Sequence, residues 1–78
     1  MVFVVYRCNT HLSLDSRMLV GVCSSHDIAE DVAFDDAEIL EQVWTDEDTW
    51  NIRNISQTQC GQRDFNWCIE VVEMDVLL

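Results

Sequence analysis

The sequence predicts a small α+β domain: an antiparallel sheet with one helix, or two short helices, packed on one face, in the order ββαβ or ββααβ. Three observations carry this. Two N-terminal stretches rich in β-branched and aromatic residues flank polar turn-formers, the middle of the chain has helical periodicity, and a period-2 run lies in the last third. A length of 78 residues suits a single domain, 1–78, near the size at which one core barely suffices.

Val2 to Cys8 and Arg17 to Cys23 read as the strands of a hairpin whose loop holds Asn9, Ser13, Asp15 and Ser16. Symmetric pairing about that loop puts Phe3 and Val5 on one face with Val20 and Val22, and Val4 and Tyr6 on the other with Leu19. Both faces are apolar, so each needs a cover.

Ser24 and Ser25 then supply a helix cap, followed by Asp27, Glu30 and Asp31 where the helix dipole favours anions. On a helical wheel Ile28, Ala29, Val32, Ala33, Ala37, Ile39, Leu40, Val43 and Trp44 fill one half. Asp27, Glu30, Asp31, Asp35, Glu38 and Glu41 fill the other. Phe34 and Asp36 violate the division. A second helix start at Asp35 accounts for both, with Glu38 completing an acidic capping box and Phe34 stapling onto Ile39. The expectation is two short helices, about 25–33 and 36–44. One continuous helix displaying Phe34 among carboxylates is the alternative.

Thr45 to Asp48 reads as the end of the helical region, and 49–64 as a polar loop, with room for a short strand, closing in a turn at Gly61 to Asp64. Phe65, Trp67, Ile69 and Val71 alternate with Asn66, Cys68 and Glu70 as a strand running to about Asp75. One helical layer covers one sheet face. The other then needs residues 49–62, a partner or a second copy of the chain, which makes a homodimer an expectation.

Charge narrows the function. Fifteen acids against four arginines and no lysine give a net charge of −11, which excludes charge-driven binding to DNA, RNA or an anionic membrane. Nearly half the residues are apolar, which excludes a disordered chain. Met1 to Tyr6 is too short an apolar run for a signal peptide, and no run approaches a membrane span. A cytoplasmic protein with four reduced cysteines is expected.

Cys8 and His11, and Cys23 and His26, repeat one Cys-x-x-His spacing that could suggest zinc. In the hairpin, however, the two cysteines lie at opposite ends, roughly 20 Å apart at about 3.3 Å per residue. No metal and no cofactor is expected. Cysteine catalysis needs an electropositive setting, which this chain lacks. With its two glycines 40 positions apart, at Gly21 and Gly61, the chain has no phosphate-cradling loop. A non-enzymatic binding protein is the expectation.

Ten of the fifteen acids fall between Asp27 and Asp48, with no arginine from Met18 to Ile52. An ordinary helix surface mixes both signs, whereas this one forgoes every attractive pair. Carboxylates one helical turn apart lie about 6 Å from each other, similar to phosphates along a nucleic-acid strand. Asp27, Glu30, Asp31, Asp35, Glu38, Glu41, Asp46, Glu47 and Asp48 therefore form a candidate face for a basic protein surface that ordinarily binds nucleic acid, with Phe34 and Trp50 as anchors. Trp44 and Trp67 are expected in the core.

The stretch Leu19-Val20-Gly21-Val22-Cys23-Ser24-Ser25-His26-Asp27-Ile28-Ala29-Glu30-Asp31-Val32-Ala33, following the strand Val2 to Tyr6, resembles small uncharacterised ββαβ proteins of bacteriophages and their hosts. In these, a strand ending Gly-hydrophobic-aromatic-Ser-Ser leads into a helix bearing Ala-Glu; Cys23 stands here in place of the aromatic. The resemblance covers residues 2–33 and implies a small phage-type cytoplasmic protein, without catalytic residues to carry over. In size and acidity the chain is also similar to phage-encoded anti-restriction and anti-CRISPR inhibitors, which implies a host nuclease or CRISPR effector as target.

Overall fold

A computed structural model describes residues 1–73. Strand β1 (Val2–Asn9) is central in a three-stranded antiparallel sheet, flanked by β2 (Met18–Cys23) and β3 (Phe65–Val72). Helices α1 (His26–Ile39) and α2 (Asp46–Ile55) lie between β2 and β3 in the chain, so the order is ββααβ. The α+β class is the expected one; the helix boundaries and half of the hairpin register are not. The part of the last strand expected beyond residue 73 lies outside the described residues.

The hairpin pairs Phe3 with Cys23, Val4 with Val22 and Val5 with Gly21, then shifts so that Tyr6 pairs with Leu19. Val20 is the extra residue of this bulge. Leu19 shares the face of Tyr6 as expected, but Val22 lies on the face of Val4, 59 % exposed, and Gly21 and Cys23 join Phe3 and Val5. Symmetry about the loop misses this because a single inserted residue inverts the facing of one half of a strand.

The inner face of the sheet carries Phe3, Val5, Phe65, Trp67 and Ile69, and α1 lies across it with Ala29, Ala33 and Ala37 fully buried. Small side chains one turn apart allow close approach. A Cβ on Gly21 would stand 3.2 Å from Val32 Cγ1, so glycine gives α1 room over β2. Ile52 of α2 joins the same core.

Helix α1 opens on Ser25, whose Oγ accepts from the Ile28 amide, and runs through Asp35 without the expected break. Both wheel violations have tertiary explanations. Asp36, on the apolar half, accepts from Arg7 Nη1 at 3.1 Å and from the Trp67 indole at 2.8 Å. Phe34 sits edge-on to Trp44, ring centroids 5.8 Å apart. The helix stops at Leu40: Glu41 adopts φ 57°, and the amides of Glu41 and Gln42 return to the carbonyls of Glu38 and Ala37. This is a Schellman ending with glutamate in the position glycine favours.

The Thr45 to Asp48 stretch starts a helix rather than ending one. Thr45 Oγ1 accepts from the Asp48 amide, and Asp48 Oδ2 accepts from the Thr45 amide at 2.9 Å, a reciprocal capping box. The loop expected from 49 onward is thus helical to Ile55. It packs on the α1 side, so it is not the cover expected for the second sheet face. After the left-handed Ser56, Gln57 makes an isolated bridge with Cys68, a single pair where the sequence left room for a short strand.

Candidate partner-binding face on the helices

Among the described residues each arginine meets one acid: Arg7 with Asp36, Arg17 with Glu70, Arg53 with Glu30 and Arg63 with Asp48. These contacts sort the acidic cluster. Asp36, Glu30 and Asp48 serve the fold. Asp27, Asp31, Asp35, Glu38, Glu41, Asp46 and Glu47 are exposed, and no arginine contacts them among the described residues.

Asp48 corrects the candidate face. Its side chain is 4 % exposed and its carboxylate accepts a fork from Arg63, at 2.7 and 3.2 Å, so it is not available to a partner. Burial alone would raise its pKa. The hydrogen bonds and charge of Arg63, with the bonds from Thr45, outweigh that and hold it below the usual carboxylate value. Glu30 is also largely engaged, bonded to His26 Nδ1 at 2.9 Å and Arg53 Nε at 3.3 Å. The absence of arginine from Met18 to Ile52 concealed this, because Arg53 reaches back from the end of α2.

The remaining carboxylates follow the helix geometry. Asp27, Asp31, Asp35 and Glu38 recur at helical spacing on the side of α1 away from the buried alanines. Glu41 stands at the corner after α1, and Asp46 and Glu47 in the first turn of α2.

Two aromatic features lie within this field. Trp50, 60 % exposed, is one turn beyond Asp46 and Glu47 on α2. Phe34, 38 % exposed, forms with Trp44 and Ile52 the apolar wall of a groove of ≈ 110 Å³ between the helices, and Glu30, Asp31 and Arg53 line its rim. An aromatic wall beside the exposed carboxylate of Asp31 suits the apolar stem and charged head of a lysine or arginine, while Glu30 across the rim is already held by Arg53. The sequence marked Phe34 and Trp50 as anchors; it placed Trp44 in the core, and that residue proves to be half-buried, shared between core and groove. A larger cavity of ≈ 490 Å³ lies between the start of α2 and residues 59–62, where Asn51, Gln59 and Gln62 make it amide-lined. It has no aromatic wall to hold a side chain.

The two Cys-x-x-His pairs do not come together: Cys8 and Cys23 lie on opposite faces of the sheet, and His11 is exposed at the hairpin loop. Among the described residues no group of three or more His, Cys, Asp or Glu side chains is placed to hold a metal ion. No helix of the described residues is long and apolar enough to cross a membrane. Comparison with protein-family models, with curated proteins and with solved structures found no match to the chain.

Proposed function

We propose that the protein is a non-enzymatic binding protein whose α1–α2 surface docks on a basic, nucleic-acid-binding face of another protein and masks it. The observation that carries the reading is the division of the acids: three in the helical region hold arginines, and seven stay exposed around two aromatic anchors. Four of those seven, Asp27, Asp31, Asp35 and Glu38, share one face of α1, where like charges repel. A basic surface repays that repulsion when it docks, and the groove at Phe34 accepts one of its side chains. The resemblance at residues 2–33 adds a phage-type, cytoplasmic source, and the likeness in size and acidity to anti-restriction and anti-CRISPR inhibitors adds the target class, a host nuclease or CRISPR effector.

The test is capture of host proteins by the tagged chain at low and high salt, against the variant Asp27→Lys, Asp31→Lys, Asp35→Lys. The expected result is a nucleic-acid-binding protein retained by the wild type, released by salt, lost in the variant and displaced by double-stranded DNA. Capture that survives both salt and charge reversal overturns the proposal.

One observation favours a second reading, a subunit that associates through the sheet. Met18, Leu19 and Val22 on edge strand β2 are all more than half exposed, without the charges that usually guard such an edge. That reading predicts salt-insensitive association, lost in Leu19→Glu or Val22→Glu.

A further inference from the structure

On the sheet face away from the helices, Cys8 of β1 and Cys68 of β3 stand with their sulfurs 3.6 Å apart. They occupy diagonal positions across the central strand pair, Cys8 opposite Asn66 and Cys68 opposite Tyr6. Both residues are buried, 1 % and 5 % exposed. Arg17 bridges this face, its guanidinium 5.0 Å above the Tyr6 ring and bonded to Glu70. Its Nε is buried without a hydrogen-bond partner among the described residues. A sulfur pair in van der Waals contact needs to close by about 1.6 Å to reach the bond length of about 2.05 Å. Diagonal Cα atoms ordinarily lie about 7–8 Å apart, so closure combines rotation about the two Cα–Cβ bonds with an approach of the β1 and β3 backbones.

We infer that Cys8 and Cys68 are a dithiol–disulfide couple, closed by a small-molecule disulfide of the glutathione type, and that closure staples the first strand of the fold to the last. In the first step one protein thiolate attacks a sulfur of oxidised glutathione, forming a mixed disulfide and expelling one glutathione thiolate. In the second, the other protein thiolate attacks the protein sulfur of that mixed disulfide and expels the second glutathione. Two electrons pass from the protein sulfurs to glutathione, and the two protons released reappear on its thiols. Burial, reinforced by the Cys8 contact and partly opposed by Arg17, pushes the Cys68 thiol up to about 12. Both cysteines are buried, so a dissolved disulfide reaches them slowly in the folded protein and readily while the strands are still assembling.

The span is the reason closure matters. The two cysteines are 60 positions apart, so the bridge constrains nearly the whole unfolded chain and is expected to raise the melting temperature on the order of 10–20 °C. The test is to refold the full chain with oxidised glutathione, then count thiols, map the linked peptides and record melting with and without reductant. The expected product has two free thiols and one Cys8–Cys68 linkage, and reductant abolishes its higher melting temperature. Cys60→Ala should behave like the wild type. Cys8→Ala should keep all three of its remaining thiols free; if that variant does not fold, the wild-type peptide map decides alone. Four free thiols after refolding, or a linkage through Cys60 or Cys23, overturns the inference.

Discussion

Replacing Asp48 by asparagine isolates the charge of the most buried ion pair while keeping shape and one acceptor. Arg63 is 3 % exposed along its side chain. It donates to the carbonyls of Val43 and Phe65, to Asn66 Oδ1 and to both Asp48 oxygens, with its guanidinium 5.7 Å from the Trp44 ring centroid and 5.0 Å from that of Trp67. One side chain thus ties the α1–α2 connection, the start of α2 and β3. With Asp48 neutral, the guanidinium keeps its desolvation cost and loses the charge that offset it, a loss of about 3–5 kcal/mol for buried pairs. A domain of 78 residues has a total stability of roughly 4–12 kcal/mol at about 0.05–0.15 per residue. Asp48→Asn should therefore approach the unfolding threshold, with a melting temperature lower by roughly 15–30 °C. Urea unfolding followed by tryptophan fluorescence measures this at the site, since Trp44 and Trp67 flank Arg63. The companion Arg63→Lys leaves the Val43 and Phe65 carbonyls unserved at about 1 kcal/mol each, a loss of about 2 kcal/mol. A loss under about 1 kcal/mol for Asp48→Asn, the range of exposed pairs, would refute the assignment of Arg63 as the tie between these elements.

The same pair sets a pH response. Asp48 has a folded-state pKa below its ordinary value of 3.8, so its stabilising contribution is complete above that value and is lost as pH falls through the folded pKa. Acid titration of stability should show this loss in the wild type and not in Asp48→Asn. Asp36→Ala leaves Arg7 and the Trp67 indole without their shared acceptor; a loss of about 2–3 kcal/mol is expected, read from the urea midpoint. Glu41→Gly removes a side chain from a left-handed position at φ 57° and should gain about 0.5–1 kcal/mol in the same assay.

The class of the fold was legible because its signals are local. Alternation at Phe65 to Glu70, β-branched runs at Val2 to Tyr6, and a serine cap before an acidic first turn each name an element without reference to the rest of the chain. The second helix was not legible for an equally definite reason. Its buried positions are Asp48, Asn51 and Ile52, so a hydrophobic wheel finds one apolar residue where it seeks a stripe. The signal that could have found it is the Thr45-x-x-Asp48 spacing, a capping box whose acid has a second role.

The candidate face divides in the same way. Composition placed most of the negative charge between Asp27 and Asp48, and helical spacing aligned Asp27, Asp31 and Asp35. Which carboxylates remain free depends on partners far away in the chain: Arg7 is 29 positions from Asp36, Arg53 is 23 from Glu30, and Arg63 is 15 from Asp48. Helix spacing and charge density are properties of neighbouring residues, so the chain carries them openly. The satisfaction of a buried acid depends on which strand or loop folds over it, and only the assembled sheet and helices decide that.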